Sequence, residues 1–249
     1  MPDTECIHGF ENGLCDSCFP KAAPAKPATR ASSPSRTRRV PGASRASSAK
    51  VPSLADQRVY HVTHINNLES IFTEGQLVAA ASIDGSIFDV SSPLTRELRS
   101  SATLSTGEPV DRYVPFSLVP ESTSWRELRA GAAESRWSTA ARAATPTEFV
   151  FLVSTLRALG DNVILADGDA AATLTRCATD QTAIARTLGN LRADELTADA
   201  EVLVHGSVAF DDFQLVGVAS DKARERVRAL LHNASFTTKV AVYPPWFIH

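Results

Sequence analysis

The chain has 249 residues, of which 43% are hydrophobic, and a formal net charge of −3 at pH 7. This length suits one sizeable domain with an appendage, and no apolar run approaches the ~18 residues that would argue for a membrane-spanning helix. The N-terminus has neither the basic start nor the apolar core of a secretory signal. We therefore expect a cytoplasmic protein with no membrane partner, and a monomer by default.

The first 19 residues form a small module rich in cysteine. Three thiolates and one imidazole follow the pattern Cys-x-His-x6-Cys-x-x-Cys, and these four groups can complete a tetrahedral zinc site. Nineteen residues cannot hold a hydrophobic core, so a metal would be what orders them. The alternative is a set of unliganded thiols on a tail. The predicted zinc ligands are Cys6, His8, Cys15 and Cys18.

Residues 20–57 consist mainly of Ala, Pro, Ser and Arg, with almost no large apolar side chains. Such a segment cannot bury enough surface to offset the entropy of ordering, so its composition predicts a disordered linker. Residues 19–58 carry nine Lys or Arg and one Asp, whereas the rest of the chain is acidic. The linker is either simply solvated or a basic arm that lies against nucleic-acid phosphates.

Residues 58–249 alternate short apolar runs with small helical patterns, which is typical of a mixed α+β domain. Gly75 is predicted to end the first helix, and Asn66 or Asn67 to cap it. Pro115 indicates an edge strand or a bulge, and Cys177 is interpreted as core packing within a helix. The predicted strands are 59–63, 113–118, 148–153, 163–166, 201–204, 214–219 and 240–243, and the predicted helices are 68–74, 93–99, 124–131, 154–159, 170–177 and 222–231.

Two polar residues of the first predicted strand are candidates for binding a nucleotide. His61 and Thr63 alternate with Val62, so they share one face of the strand and could hydrogen-bond ribose or carboxamide groups. The alternative is a core histidine whose ring nitrogens bond the backbone. His64 points to the opposite side, where we expect a structural role.

A lone carboxylate, Glu201, opens a strand that otherwise reads as buried. A charge there must be paired, exposed in a cleft or abnormally titrating, which is also a property of catalytic groups. Arg96 and Arg99 are permanent cations that could lie near a phosphate or a developing negative charge. The alternatives are a strand-end glutamate that faces water and two solvated arginines.

Five segments together resemble the DarT family of bacterial DNA ADP-ribosyltransferase toxins. The first reads Tyr-His-Val-Thr-His-Ile-Asn-Asn-Leu and the fourth Ala-Glu-Val-Leu-Val-His-Gly-Ser-Val, and these two are the most specific. The other three, among them Tyr-Val-Pro-Phe, support them in the same order as in the family. The segments are 60–68, 113–116, 165–171, 200–208 and 242–247.

The resemblance implies the ADP-ribosyltransferase fold, a split pair of mixed β-sheets with small helices and with NAD in the cleft. It implies an enzyme that transfers ADP-ribose from NAD to a base of single-stranded DNA, with thymidine favoured. Such an enzyme would be the toxin of a toxin–antitoxin or phage-defence system. Its expected partner is a macrodomain antitoxin similar to DarG, which reverses the modification.

On the matching positions, Glu201 is the catalytic glutamate and Arg99 the catalytic arginine, with Arg96 in reserve. Glu201 would stabilise an oxocarbenium-like sugar and accept the proton of thymine N3, while Arg99 would stabilise the deprotonated base or the diphosphate. The resemblance further implies NAD contacts from His61, Val62, Thr63 and Arg99, and more weakly from Ser70 and Val78.

One segment departs from the family. After the Val-Pro-Phe strand the chain reads Ser-Leu-Val-Pro-Glu-Ser over 117–122, in place of the family's loop that handles the DNA base. Guanine or RNA therefore stays open as a target, as does an inactive, zinc-dependent nucleic-acid binding protein. Tyr113, Phe116 and Trp125 are candidate stacking platforms for bases, or else core residues.

Overall fold

The computed structural model describes residues 53–83, 88–133 and 136–248. The predicted zinc ligands and nearly all of the predicted linker therefore lie outside the described residues. None of the helices within the described ranges is both long and apolar enough to cross a membrane. The strands are β1 Arg58–His64, β2 Gln76–Val78, β3 Tyr113–Ser117, β4 Phe149–Thr155, β5 Val163–Ala166, β6 Cys177–Ala178, β7 Glu201–His205, β8 Ser207–Ala209, β9 Leu215–Val218 and β10 Lys239–Val242, and the helices are α1 Leu68–Glu74, α2 Pro93–Ser101, α3 Thr123–Arg129, α4 Thr139–Ala143, α5 Leu156–Leu159, α6 Gln181–Ala193 and α7 Asp221–Asn233.

Eight strands form one mixed sheet in the order β10-β9-β4-β1-β3-β7-β5-β6, and β2 pairs with β8 separately. The sheet has a weak joint between β1 and β3, which share the single pair Tyr60–Ser117. On either side of this joint the strands pair along their length, over seven residues between β1 and β4 and over five between β3 and β7. The sheet is therefore split into two halves, which confirms the predicted split mixed fold.

Pro115 and His61 explain why the ladder stops at this joint. Proline has no N–H to donate to a neighbouring strand. The carbonyl of Pro115 instead accepts a hydrogen bond from the imidazole Nδ1 of His61 at 2.9 Å. The sequence predicted that Pro115 marks an edge or a bulge. In the structure β3 is an interior strand, and the proline lies where the two half-sheets part.

Helices cover both faces of the sheet, which explains why β4 is buried over six consecutive residues. One face packs against α1, α6 and α7 through side chains such as Leu68, Ile184 and Val227. The other face packs against α3, α4 and the C-terminal segment around Trp125 and Phe247. A third, smaller apolar cluster includes Tyr113 of β3, Ile164 of β5 and Leu203 of β7.

The predicted helix over 170–177 is wrong. The segment forms turns and then the edge strand β6, in which Cys177 is half-buried. Asp169 accounts for the difference, because its side chain accepts the N–H of Ala171 and its carbonyl accepts the hydroxyl of Thr175. Such local side-chain bonds compete with helical ones.

The helix α6 was not predicted, although the sequence contains its signal. Asp180 caps this helix by accepting the N–H of Ala183, and buried Ile184, Leu188 and Leu191 follow at helical spacing. The helix α1 ends as predicted at Gly75, which has a φ of 69°. Asn67 occupies the cap position of α1, but its side chain makes no capping bond.

The close contact between Gly217 and Trp246 makes a prediction about stability. A Cβ added at Gly217 would lie 2.5 Å from Cζ3 of Trp246, whose ring is packed against Phe151. We expect Gly217→Ala to lower the free energy of unfolding by about 1–3 kcal/mol in urea denaturation, because the ring must shift. As a control, Gly189→Ala at an exposed position of α6 meets nothing within 4 Å and should raise the free energy of unfolding by about 0.5–1 kcal/mol. Equal effects of the two substitutions would contradict the proposed contact.

Candidate active site

Glu201 and Arg99 form a partly buried ion pair at the start of β7. The Nη1 of Arg99 donates to both carboxylate oxygens of Glu201, at 3.1 and 2.9 Å. The backbone N–H of Ala170, in the turn after β5, donates to Oε2 at 3.3 Å. Three hydrogen bonds thus hold a carboxylate whose side chain is 22% exposed.

The helix α2 carries Arg99 to this carboxylate. Ser92 caps the helix by accepting the N–H of Thr95, and Pro93 follows at its first position. No residue of α2 is buried, and Arg99 is the one that turns inward, with 12% of its side chain exposed. Arg96 pairs with Asp89 instead and is half exposed. Of the two candidate arginines, the structure therefore brings Arg99 to Glu201.

A second carboxylate completes the cluster. Oδ1 of Asp169 lies 3.5 Å from Nη1 of Arg99, and 53% of its side chain is exposed. Burial raises the pKa of Glu201 above its ordinary value, Arg99 partly offsets this, and the negative charge of Asp169 raises the pKa further. Such a shifted carboxyl group in contact with a cation is typical of catalytic sites.

Arg99 also has an unused donor. Its Nη2 is buried and has no hydrogen-bond partner among the described residues. Buried donors are almost always paired in folded proteins. An acceptor on a bound molecule, such as a phosphate or carbonyl oxygen, would satisfy it.

His61 lies beside the split but on the other side of the sheet from Glu201. Tyr60 pairs with Ser117, and Ser117 pairs with Glu201, so these three side chains share one face and the next residue, His61, faces the other. Tyr60 and Glu201 are two strand spacings apart, or roughly 10 Å. Burial lowers the pKa of His61. A neutral ring that donates through Nδ1 to Pro115 keeps Nε2 as an acceptor.

Asn67 ties the end of β1 to the segment that starts at Phe88. Its amide donates to the hydroxyl of Thr63 at 3.1 Å and to the carbonyl of Phe88 at 3.1 Å, and it accepts the N–H of Phe88 at 2.7 Å. Thr63 is buried, and Val62 packs at the edge of the apolar layer around Trp125. His64 is buried and stacks on Phe88 with ring centroids 4.0 Å apart.

The two weaker NAD candidates lie elsewhere in the fold. Ser70 is on the exposed side of α1 and donates to Glu74 at 3.0 Å. Val78 is half-buried in β2 and pairs with Ser207 of β8. Among the described residues, neither is hydrogen-bonded to Arg99 or Glu201.

The three aromatic residues predicted as stacking platforms are core residues instead. Tyr113 is 5% exposed, and Phe116 and Trp125 are each 1% exposed. The indole N–H of Trp125 is also satisfied internally, by the carbonyl of Trp246 at 2.7 Å. A buried ring has no free face for a nucleobase, so the structure favours the second of the two interpretations, in which all three are core residues.

The sequence model of one family matches residues 60–248, which include every member of this cluster. Its description is "ssDNA thymidine ADP-ribosyltransferase, DarT". The chain belongs to the DarT family. It is therefore an NAD-dependent ADP-ribosyltransferase that acts on single-stranded DNA, as the resemblance implied. No functionally curated protein matches the chain.

Solved structures of DarT proteins have the same fold. The DarT of Thermus sp. 2.9 in complex with ADP-ribosylated ssDNA is 21% identical, with a TM-score of 0.66 over 77% of this chain and 96% of that one. The same protein in complex with NAD⁺ gives 0.62 at 21% identity, over 77% and 98% of the two chains. Thermosipho africanus DarTG in complex with ADP-ribose gives 0.58 at 17% identity, over 77% and 51%.

The bonds of Asn67 predict how the end of β1 is held. Asn67→Ala should lower the free energy of unfolding by about 1–3 kcal/mol, because it leaves the N–H and carbonyl of Phe88 without their partner. It should also speed amide hydrogen exchange at Phe88. The neighbouring Asn66→Ala is the control, since Asn66 is exposed and contacts Arg226. If the amide of Phe88 exchanges hydrogen at the same rate in both variants, Asn67 does not hold this segment.

Proposed function

We propose that the cluster of Arg99, Glu201 and Asp169 transfers ADP-ribose from NAD to a thymine base of single-stranded DNA. The observation that carries this proposal is the double contact of Arg99 with Glu201, in a chain of this family. The carboxylate is fixed, partly exposed and next to a cation with an unused donor. These are the features that cleavage of a glycosidic bond requires.

Breaking the bond between nicotinamide and ribose builds positive charge on the sugar. A carboxylate held against the ribose stabilises this oxocarbenium-like state, as it does in glycosidases. We assign this role to Glu201, which would accept a hydrogen bond from a ribose hydroxyl. Arg99 holds Glu201 in place and can donate its free Nη2 to a phosphate or to the base.

The acceptor atom is the N3 of thymine. In a duplex this atom is hydrogen-bonded to adenine, so the substrate must present an unpaired base. We propose NAD contacts from His61, Val62 and Thr63 at the split between the half-sheets, with Ser70 and Val78 as weaker candidates. Nε2 of His61 can accept a hydrogen bond from an amide or a hydroxyl group of NAD.

The remaining proposals concern the biological setting. We propose a cytoplasmic toxin that a macrodomain antitoxin similar to DarG counteracts. One of the structural relatives is a DarTG protein, which supports a pair of this kind. We also propose that residues 1–19 bind zinc and that 20–57 link them to the transferase domain. Metal analysis of the full chain would test the zinc site.

The activity is tested with the full chain, NAD and short oligomers, with products read by intact mass. We expect the gain of one ADP-ribose on thymidine-containing single-stranded DNA. Glu201→Gln should lower kcat by about 10²–10³-fold, because it removes the charge that stabilises the sugar cation. Arg99→Gln should also lose activity, whereas Arg96→Gln is a matched control with little effect, since Arg96 pairs with Asp89.

Other outcomes would change the assignment. Modification of RNA alone, or of guanine in DNA, would keep the chemistry and replace the substrate. The altered segment 117–122 makes these the relevant comparisons. Intact NAD and unmodified oligomers would favour a nucleic-acid binding protein without catalysis.

The raised pKa of Glu201 predicts the acid limb of the pH profile. The active form is the carboxylate, so kcat/KM should rise with pH through the pKa of this group and level off above it. Because burial and Asp169 raise this pKa, the limb should lie above 4.5, the ordinary value for glutamate. Arg96→Gln should leave the limb in place. A limb at or below pH 4.5 would contradict the assignment of Glu201.

A further inference from the structure

The hydrogen bonds of Glu201 leave it little capacity for a second task. A carboxylate has about four lone-pair positions. Arg99 occupies one on each oxygen, and the N–H of Ala170 occupies another on Oε2. The position that remains is the one that the ribose hydroxyl needs. If Glu201 stabilises the sugar, it has no free position for the proton of thymine N3.

That proton must nevertheless leave when N3 bonds to the sugar. Arginine is a poor acceptor because it stays protonated at every relevant pH. Asp169 is the other carboxylate at the site, and it lies against the same nitrogen of Arg99 as Glu201 does. Its Oδ1 accepts the N–H of Ala171, and its Oδ2 has no hydrogen-bond partner among the described residues.

The turn around Asp169 fixes the backbone from which this carboxylate extends, and the N–H of Ala171 and Arg99 contact its Oδ1. The carbonyl of Asp169 accepts the N–H of Ala172 at 2.9 Å and the hydroxyl of Thr175 at 2.6 Å. Gly168 lets the chain fold closely, since a Cβ there would lie 3.2 Å from Oγ1 of Thr175. A general base has to be positioned by its surroundings in this way.

We propose that Asp169 is the general base that removes the N3 proton of the target thymine, while Glu201 stabilises the ribose. This inference rests on the proposed function. The bond from N3 to the anomeric carbon forms as the bond to nicotinamide breaks, and nicotinamide leaves as a neutral molecule with the electron pair. The N3 proton passes to Oδ2 of Asp169 and from there to water, which reaches this exposed side chain.

The test compares Asp169→Asn with the wild-type chain on two DNA oligomers, one with thymine and one with 5-bromouracil at the target. Bromine withdraws electrons and makes the N3 proton more acidic, so its removal depends less on a base. Asp169→Asn should lower transfer to thymine by about 10²–10⁴-fold. On 5-bromouracil the Asp169→Asn variant should regain most of the activity that it loses on thymine. NAD should raise its melting temperature as much as it raises that of the wild-type chain.

Two variants serve as controls. Asp167→Asn changes a neighbouring carboxylate that accepts the N–H of Arg176, a bond that asparagine can keep, and should leave transfer close to wild type. Glu201→Gln should lose transfer on both oligomers, because a more acidic base does not stabilise the sugar cation. If 5-bromouracil restores transfer in Asp169→Asn but not in Glu201→Gln, then Asp169 is the group that accepts the N3 proton.

Three outcomes would overturn the inference. Full activity of Asp169→Asn on thymine would show that another group takes the proton. Equal loss on both oligomers, or loss of stabilisation by NAD, would show that Asp169 acts on NAD or on the fold. If the wild-type chain modifies neither oligomer, the proposed function itself is wrong. This outcome can be told apart from the other two, in which the wild-type chain is active.

Discussion

Glu201 brings a carboxylate to the start of β7, directly before three apolar residues, and the surrounding structure is arranged to offset that charge. Arg99 and the N–H of Ala170 supply the hydrogen bonds. Removing one member of a buried pair typically costs about 3–5 kcal/mol, and the partial exposure here places this pair toward the lower end. The helix α2 buries none of its residues, and Arg99 joins it to the start of β7. One interaction therefore positions both the catalytic candidates and the helix that carries one of them.

The split between the half-sheets is the second constraint on the site. A continuous ladder between β1 and β3 would close the sheet beside Glu201, but the two strands meet only at Tyr60 and Ser117. Pro115 cannot donate to β1, and the side chain of His61 takes up its carbonyl. The residues that we propose contact NAD thus follow the last ladder pair, where the strands diverge.

Local patterns predicted the strongly apolar strands and the helix that ends at Gly75, because these features depend on neighbours in the sequence. The role proposed for Glu201 came from a motif, since a strand-end carboxylate alone is ambiguous. Burial of aromatic residues such as Trp125 depends on packing between distant segments, and single-sequence patterns do not contain it. The helix predicted over 170–177 failed for a local reason that could have been read, since Asp169 and Thr175 favour side-chain bonds to the backbone. The pairing of β1 with β3 at one residue is a property of the whole sheet.

Two carboxylates contact the same arginine, but their surroundings give them different properties. Glu201 is mostly buried, has a raised pKa and accepts three hydrogen bonds, so it is suited to stabilise charge without moving. Asp169 is more exposed and keeps an open oxygen, so it is suited to exchange a proton with substrate and water. Separate environments for two carboxyl groups are how many active sites divide acid–base work from charge stabilisation. The same turn supplies both environments, because its Ala170 N–H bonds Glu201 while its Asp169 side chain faces solvent. A change in the length of this turn would therefore disturb both functions at once.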